Sequence, residues 1–339
     1  MQVVEIERPG GPEVLRLVER PRPVPGPGEV LIRVVAAGVN RPDIQQRRGL
    51  YPPPAGASDI PGLDVAGIVQ EIGPGVEAFA TRMPVCALAN GGGYAEYCVV
   101  PAEQCMPVPR GLSFIEAASL PEVYMTAWNN LVWLARLQPG ETLLVQGGTS
   151  GVGLAGIQIA SQLCGVKVFA TAGTEEKRTV CLATGATAAF DYKGAWDDEI
   201  RQLTAGQGVD VILDGQAGPA TQRQLDLLDF DGRLVLIASH QGATGEVDLR
   251  QLVRRRLTLT GSTLRPRPPA YKGRLARELV DRVWPLLSDG RMTTRIHQAL
   301  PFSDVQQAHA ILDENRQIGK VVLIVDPALG ATIPAAGEP

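Results

Sequence analysis

The segment 142–160 constrains the fold more than any other part of the chain. It consists of an apolar strand, a glycine-rich turn and the start of a helix, with the sequence TLLVQGGTSGVGLAGIQIA. Glycines let the backbone approach phosphate groups, and the first turn of a helix offers free N–H groups at the positive end of its dipole. The segment therefore predicts a site for the pyrophosphate of a dinucleotide, formed by Gly148, Ser150, Gly151 and Val152.

The turn departs from the usual dinucleotide motif, G-x-G-x-x-G, at the middle glycine. Ser150 replaces that glycine, and Gly151 follows directly. Glycine clusters also make ordinary turns, so the glycines alone leave a purely structural turn open. The flanking strand and helix favour a nucleotide site, because such a site needs all three parts in this order.

After the turn, the chain alternates between short apolar strands and helices. Strands are predicted at 166–171, 188–191, 209–214, 233–237 and 257–261, and helices at 175–184 and 196–203. Continuous apolar strands separated by helices are typical of a parallel sheet covered on both faces. The sequence thus predicts an α/β fold with a doubly wound, Rossmann-type parallel sheet that binds a dinucleotide at its switch point.

The composition is that of a globular protein and excludes several other classes. The 339 residues are 45% hydrophobic and 20% charged, with a net charge of −4, and this length predicts two domains. Arg254-Arg255-Arg256 precedes an apolar strand, so a solvated helix end explains it better than a nucleic-acid surface. No apolar run approaches the roughly 18 residues of a membrane span, and the start of the chain lacks signal-peptide character. A cytoplasmic location is therefore expected.

The regions that flank the alternating pattern differ from it in composition and in the length of their apolar runs. The first part of the chain is rich in Pro, Gly and Val, with short strand-like runs at 30–35 and 97–100. Many short strands with frequent turn signals predict a compact β-barrel. A helix at 273–287 and a final strand at 320–325 are expected to return to this barrel.

The predicted organisation therefore contains one domain inserted into another. The final segment is rich in Ala, Pro and Gly, which is typical of disorder. The predicted parts are a discontinuous catalytic domain of 1–122 and 268–325, a dinucleotide-binding domain of 123–267, and a disordered tail of 326–339.

The order of motifs resembles that of the medium-chain dehydrogenase/reductase superfamily, whose catalytic domain is GroES-like, and more closely that of its zinc-free quinone oxidoreductases. The likeness extends to about Val325. It departs at Asp64, where the family usually has Glu, and at 82–84, where Arg-Met-Pro replaces Gly-Asp-Arg. The segments that carry it are VNRPD (39–43), QRRGLYP (46–52), GLDVAG (62–67), PE (121–122), TAW (126–128), GVG (151–153), TAGT (171–174), Lys177, DY (191–192) and STLR (262–265).

Zinc is not expected. In zinc-dependent relatives a Cys occupies the position of Asn40, and a His and a Glu lie within the segment that matches 62–64. The five cysteines show neither C-x-x-C spacing nor the four-cysteine cluster of a structural zinc site, and they are expected to stay reduced. Zinc needs several converging thiolate or imidazole ligands, whereas His240, His297 and His309 lie in unrelated segments.

The end of the second Rossmann strand indicates which cofactor binds. An NAD-specific site needs a carboxylate there for the ribose hydroxyls, but this chain has Gly173 and Thr174 instead. Lys177 follows within one helical turn, and Tyr192 ends the third strand. A cation and a hydroxyl suit a 2′-phosphate, as the resemblance also implies, so the predicted cofactor is NADPH. The alternative is that Lys177 is a solvated helix residue paired with a nearby acid.

The resemblance places Asn40, Tyr51 and Thr126 around the nicotinamide ring. Asn40 and Tyr51 offer hydrogen bonds to a substrate oxygen. Tyr51 is equally compatible with packing on the prolines at 52–54, and Thr126 with a helix cap. The resemblance also implies cofactor contacts from Gln241, Leu264 and Asn315.

The sequence predicts a metal-free enzyme that transfers hydride from NADPH to a quinone or a related conjugated carbonyl compound. Two alternatives stay open: an enoyl or enone reductase on the same scaffold, and a non-catalytic NADPH-binding protein. The strand at 257–261 corresponds to the edge through which relatives pair, which predicts a homodimer.

Overall fold

The computed structural model describes residues 1–334 and separates the chain into two compact units. The first unit joins Met1–Met125 to the chain from Arg265 onward, and the second is Thr126–Leu264. The boundaries predicted from the sequence are 122/123 and 267/268. Within residues 1–334, no helix is both long enough and apolar enough to cross a membrane.

The first unit is built on a branched, mostly antiparallel sheet. Its longest strand, β3, pairs with β4 along one edge and with β6 and then β15 along the other, while β1 and β2 form a separate pair. The strands of the first unit are β1 (Gln2–Ile6), β2 (Leu15–Glu19), β3 (Glu29–Val39), β4 (Asp64–Ile72), β5 (Pro84–Leu88), β6 (Tyr97–Pro101), β7 (Cys105–Pro107), β14 (Ile296–Pro301) and β15 (Lys320–Ile324).

The helices of the first unit differ from the prediction, which placed a single helix in this part of the chain. The single helix expected at 273–287 is in fact two helices, because Pro285 has no N–H to continue the helical ladder. The helices are α1 (Arg41–Arg47), α2 (Phe114–Ala117), α3 (Pro121–Trp128, which contains the unit boundary), α9 (Pro269–Arg282), α10 (Trp284–Ser288) and α11 (Val305–Asp313), with 3-10 turns at Pro12–Val14, Ala102–Gln104 and Phe302–Asp304.

The predicted disordered tail is ordered over residues 326–334. Asp326 accepts a hydrogen bond from Arg33 (2.7 Å), and the Gly330 carbonyl accepts one from the Ile115 N–H (3.1 Å). These contacts hold the segment against the first unit, which composition alone does not reveal. Residues 335–339 lie outside the described part of the chain.

The second unit is a six-stranded sheet in which every pair is parallel, with strand order β10-β9-β8-β11-β12-β13. This is the predicted doubly wound sheet. Its elements are β8 (Thr142–Val145), α4 (Gly151–Gln158), β9 (Lys167–Ala172), α5 (Glu175–Ala183), β10 (Ala188–Asp191), α6 (Trp196–Leu203), β11 (Val209–Asp214), α7 (Thr221–Leu227), β12 (Leu228–Leu236), α8 (Leu249–Arg255) and β13 (Thr258–Gly261), with π-helical segments Asn129–Leu134 and Ile159–Leu163 and a 3-10 turn at Gly218–Ala220.

Both faces of this sheet are buried. Along β8, Leu143 and Val145 belong to one apolar cluster and Leu144 to another, because successive side chains of a strand point to opposite faces. A strand buried on both sides has no polar alternation, which is why the sequence of this unit shows continuous apolar runs.

Candidate active site

The glycine turn connects β8 to α4 and is hydrogen-bonded to β9. The Gly147 N–H donates to the Thr171 hydroxyl oxygen (3.2 Å), and the Gly148 N–H donates to the Thr171 carbonyl (2.8 Å). Gly147 has a φ of 73°, a conformation that glycine adopts at little cost. The turn is therefore held against β9 through the hydroxyl and the carbonyl of one residue, Thr171.

Two glycines of the turn have no room for a side chain. A Cβ on Gly148 would lie 2.7 Å from the Cys181 Sγ, and one on Gly153 would lie 2.6 Å from the Gly147 carbonyl oxygen. Glycine at 148 allows the turn to pack closely on α5, and glycine at 153 allows α4 to pack closely on the turn. The motif glycines thus serve close packing around the turn as well as space for a ligand.

Ser150, the departure from the usual motif, begins the helix. Its hydroxyl oxygen accepts a hydrogen bond from the Gly153 N–H (3.0 Å) as an N-cap. The N–H groups of Gly151 and Val152 lie in the first helical turn, where no preceding helical carbonyl is in reach. These two donors are available to an anion, so the replacement of glycine by serine keeps the chemistry that a pyrophosphate needs.

The residues predicted to select the cofactor lie at the end of β9 and in the first turn of α5. Thr174 caps α5 by accepting a hydrogen bond from the Lys177 N–H (3.2 Å). A Cβ on Gly173 would lie 2.5 Å from the Tyr192 ring, so this ring rests directly on the backbone. Partial burial lowers the pKa of the Lys177 ammonium, and Glu176 partly opposes that shift.

Arg178 adds a cation that sequence reasoning missed. One terminal guanidinium nitrogen, Nη1, lies 3.6 Å from an Asp191 carboxylate oxygen and has no hydrogen-bond partner within the described residues, although it is buried. A buried donor without an acceptor is costly, and an incoming anion would relieve that cost. The only signal in the sequence is its position next to Lys177.

The other three residues predicted to contact the cofactor are divided between the two units. Gln241 and Leu264 lie in the second unit, where the Gln241 N–H donates to the Gln216 carbonyl (2.9 Å) and Leu264 is buried. Asn315 lies in the first unit, with a φ of 53° and its side-chain oxygen bound by Arg41 (2.5 Å).

Asn40 lies in a buried hydrogen-bonded triad directly after β3. Its side-chain oxygen accepts from the Lys320 ammonium (2.5 Å), and its side-chain nitrogen donates to the Asp64 carboxylate (2.8 Å). Lys320 also donates to Asp64 (2.8 Å). All three side chains are almost inaccessible to solvent. The triad is therefore a buried ion pair bridged by an amide, in which both charges are compensated.

Strand register brings these distant residues together. Gly38 of β3 lies opposite Asp64 of β4, and Val39 of β3 lies opposite Val321 of β15. Lys320 and Asp64 consequently flank the end of the strand that leads into Asn40. Lys320 and Asn40 are 280 residues apart in the chain, and no local sequence pattern links them.

Glu122, in the first turn of α3, has a different environment from Asp64. Its backbone N–H donates to Asp64 (2.7 Å), but within residues 1–334 its own carboxyl oxygens accept no hydrogen bond. Burial, with the negative charges of Asp64 and Asp43, raises the pKa of Glu122 to about 8, against the opposing effect of Lys320 and Arg265. The side chain is nevertheless partly exposed. At neutral pH this carboxyl group is mostly protonated.

Arg265 lies close to Tyr51, a predicted site residue. Its guanidinium carbon is 5.5 Å from the centre of the Tyr51 ring, and its Nε donates to the Asn90 carbonyl (2.9 Å). Its two terminal nitrogens are buried and have no hydrogen-bond partner within the described residues. The Lys272 ammonium donates to the Arg265 carbonyl (3.2 Å), and burial lowers the pKa of Lys272 to about 8, although Glu122 opposes the shift.

A second buried network runs from Asp43 to the surface. Arg47 only donates, so it fixes His309 Nδ1 as the acceptor (3.3 Å); His309 Nε2 then donates to the Tyr94 hydroxyl (3.2 Å), which donates to Asp43 (3.2 Å). Arg47 also pairs with Asp313 (2.7 Å). Burial, reinforced by Arg47, lowers the pKa of His309 to about 3, so the imidazole is neutral. Burial likewise raises the pKa of Asp43 to about 6.

The interpretation of Thr126 as a helix cap is wrong. The helix begins at Pro121, so Thr126 lies inside it, and its backbone carbonyl accepts a hydrogen bond from the Asn130 side chain (2.7 Å). Because Thr126 lies inside the helix, its hydroxyl does not cap the N-terminus.

The cysteines are placed unfavourably for metal binding. Cys86, Cys98 and Cys105 are buried free thiols, and burial raises the pKa of Cys98 to about 12, which disfavours the thiolate that a metal needs. Within residues 1–334, no three His, Cys, Asp or Glu side chains are arranged to hold a metal ion. The absence of zinc from the protein stays a prediction.

Comparison with known families agrees with the two folds. Residues 26–110 match the alcohol dehydrogenase GroES-like domain, and residues 151–281 match the zinc-binding dehydrogenase family. With the parallel sheet and its glycine turn, these matches define a medium-chain dehydrogenase/reductase. Quinone oxidoreductase of Rattus norvegicus is 33% identical over 331 residues, which cover 96% of this chain and 98% of that protein. The chain belongs to the quinone oxidoreductase family.

Two further similarities extend the comparison. The crystal structure of Escherichia coli quinone oxidoreductase complexed with NADPH aligns with a TM-score of 0.86 and 29% identity, over 96% of this chain and all of that one. A polypeptide of the phenolphthiocerol/phthiocerol polyketide synthase of Mycobacterium tuberculosis is 30% identical over 99% of this chain. The chain spans only 15% of the length of that synthase polypeptide.

Proposed function

We propose that this protein is an NADPH-dependent oxidoreductase that reduces a quinone or a related conjugated carbonyl compound. The observation that carries the proposal is the end of β9, where Gly173 and Thr174 replace the usual carboxylate and Lys177 follows. It is supported by the likeness to quinone oxidoreductases over nearly the whole chain, one of which was solved with NADPH.

The residues of the second unit fit this cofactor. Gly148, Ser150, Gly151 and Val152 would hold the pyrophosphate through backbone N–H groups at the start of α4. Lys177 and Tyr192 would hold the 2′-phosphate, and Arg178 supplies a further cation. When bound, the reduced nicotinamide supplies the hydride. We also assign cofactor contacts to Gln241, Leu264 and Asn315.

On the substrate side, we assign different roles to Asn40 and Tyr51. The Asn40 amide is held at both ends by Lys320 and Asp64, so it shapes the site. Tyr51 is partly exposed and rests beside the Arg265 guanidinium, so it is the better placed of the two to contact a substrate. Thr126 completes the proposed set.

Metal is not required by the proposal. Where zinc-dependent relatives have ligands, this chain has the amide of Asn40 and the apolar Leu63, and the Asp64 carboxylate is occupied by Lys320, Asn40 and the Glu122 N–H. Elemental analysis of the purified protein should find no stoichiometric zinc, and one zinc per chain would reopen an alcohol dehydrogenase activity.

The test is steady-state oxidation of NADPH with ortho- and para-quinones, enones, enoyl thioesters and saturated ketones. Quinones should react faster than saturated ketones, because a quinone becomes aromatic on accepting hydride, whereas a ketone lacks that driving force and depends on a Lewis acid or a proton donor. Preference for enoyl thioesters or enones would identify an enoyl or enone reductase. NADPH binding without oxidation by any acceptor would identify a binding protein.

We further propose a cytoplasmic homodimer. β13 is an edge strand of the six-stranded sheet, and its outer hydrogen-bonding groups suit pairing with a second copy. Sedimentation of the purified protein tests the dimer.

A further inference from the structure

We propose that Glu122 is the proton donor of the proposed reaction, a carboxylic acid that delivers its proton to the anion formed when the substrate accepts hydride. The inference rests on the proposed function, since reduction of a quinone or conjugated carbonyl consumes one proton with each hydride.

Two neighbouring carboxyl groups, those of Asp64 and Glu122, differ in their hydrogen-bond partners and in their exposure to solvent. Asp64 is inaccessible to solvent, and its two oxygens accept hydrogen bonds from Lys320, Asn40 and the Glu122 N–H. These donors occupy both carboxyl oxygens of Asp64. Glu122 receives no such donors within the described residues, and its side chain is partly open. When two close carboxyl groups differ in this way, the unstabilised one keeps its proton and serves as the acid.

The charged groups that face Glu122 come from every side of the cluster. Asp64 on β4 and Asp43 on α1 favour its protonated form, whereas Lys320 on β15, Arg265 before α9 and Lys272 on α9 favour ionisation. Burial is the largest influence, and together with these charges it raises the pKa of Glu122 to about 8. An acid of this strength is protonated at neutral pH and still gives up its proton readily, which is optimal for general acid catalysis.

For an enone, the proposed step balances in atoms and electrons. Hydride adds to the β-carbon, and the electron pair of the C=C bond moves to leave an enolate. The O–H bond of Glu122 then breaks, its proton forms a C–H bond at the α-carbon, and Glu122 becomes a carboxylate that solvent reprotonates. For a quinone, the same proton goes to the oxygen of the hydroquinone monoanion.

The two substrates should depend on Glu122 to different extents. Proton transfer to carbon is slow without a positioned acid, whereas a hydroquinone oxygen exchanges protons with water freely. Glu122→Gln keeps the shape and removes the proton, so it should lower kcat for enones about a hundred-fold and kcat for quinones about ten-fold or less. Glu122→Asp should restore part of the enone activity. General structural damage would instead reduce both activities equally.

The pH dependence gives a second readout. Wild-type kcat for the enone should fall as the pH rises through about 8, and Glu122→Gln should lack this limb. Infrared difference spectra provide a third readout that needs no turnover. The C=O band of one protonated carboxyl should disappear from the wild type near pH 8 and be missing from Glu122→Gln. Glu199→Gln, an exposed acid in the first turn of α6, is the matched control.

The outcomes separate the two proposals. A wild type that reduces no acceptor overturns the proposed function, and the role of Glu122 with it. An active wild type whose Glu122→Gln variant keeps the enone activity and the limb near pH 8 overturns the role of Glu122 alone. Thermal melting checks that each variant is folded. If Glu122→Gln does not fold, Glu122→Asp replaces it as the test. A shift in the pH limb and in the carboxyl infrared band of Glu122→Asp would support the role of Glu122, and unchanged values would overturn it.

Discussion

The two units form their proposed sites from different kinds of chemical group. In the second unit, the glycine turn presents backbone N–H groups, and the nearest side chains mainly hold the backbone in place. In the first unit, the site is made of charged and polar side chains that neutralise one another out of contact with water. Backbone donors need only the right local conformation, whereas buried charges need every partner present.

This difference predicts unequal sensitivity to substitution. Loss of one member of the buried triad leaves an uncompensated charge, while a change in the glycine turn disturbs packing. Substitutions in the two units can therefore be ranked by the size of their expected effects.

The largest effect is expected for Lys320→Met. It leaves the Asp64 carboxylate buried without its cation and removes the donor to Asn40, so the free energy of unfolding should fall by about 3–5 kcal/mol. Urea denaturation measures this change. Lys167→Met is the matched control, because Lys167 also begins a strand but is exposed, and it should change stability by about 0.5 kcal/mol or less. Equal losses in the two variants would contradict the buried ion pair.

In the second unit, Gly148→Ala should cost about 1–3 kcal/mol of stability and weaken NADPH binding, because its Cβ would press on the Cys181 sulfur. Gly156→Ala in α4 is the control. A Cβ there meets only ordinary contacts at 3.5 Å, and alanine favours a helix over glycine by about 1 kcal/mol. Denaturation and NADPH titration check both variants; a harmless Gly148→Ala would show that the turn has more room than its backbone indicates.

The neutral His309 should make the first unit sensitive to acid. Below its ordinary pKa of 6.5, His309 gains a proton in the unfolded chain but not in the folded one until about pH 3, so its contribution disfavours folding increasingly as the pH falls through that window. The slope for this one group approaches about 1.4 kcal/mol per pH unit.

His309→Gln isolates this effect. Glutamine can still accept from Arg47 and donate to Tyr94, but it does not titrate. Asp43 and Glu122, whose pKa values are raised to about 6 and about 8, take up protons in the folded state first and stabilise it as the pH falls. They are present in both proteins, so the stability difference between wild type and variant should change by about 2 kcal/mol from pH 6.5 to about 5. The exposed His240→Gln should behave as wild type, and a constant difference for His309→Gln would contradict a neutral imidazole.

The smallest effect is expected at the site proposed for the 2′-phosphate of NADPH. Lys177→Ala should reduce the preference for NADPH over NADH by about ten-fold, because a partly exposed charge-assisted hydrogen bond to phosphate is lost. Fluorescence titration with both cofactors measures the ratio. Lys167→Ala, at the opposite end of β9, should leave it unchanged; a wild type that binds both cofactors equally would show that the 2′-phosphate site is misplaced.

The same contrast explains what the sequence predicts well. In the second unit, β10, β11 and α6 lie where the apolar pattern places them, since strands buried on both faces and short helices carry their own signals. The glycine turn is equally local. The role of Ser150 in that turn is evident only from the structure, in which its hydroxyl caps α4.

The first unit is less predictable because its chemistry depends on strand register. Asp64 is visible in the sequence as an unusual residue and Glu122 as part of a motif, but neither pattern identifies Lys320 as their common neighbour. The pairing of β15 with β3 sets that contact. Burial, which gives Glu122 and His309 their altered pKa values, is likewise a property of the assembled sheet.

The position of Lys320 so late in the chain has a consequence for biosynthesis. The second unit is one continuous segment, so it can fold as soon as it leaves the ribosome. The first unit has to wait for β15, and until that strand emerges the Ala36–Val39 part of β3 lacks its partner and the Asp64 carboxylate lacks its cation. A nascent chain can therefore complete its second unit before its first, and the open part of β3 is the edge available for non-native strand pairing in the interval.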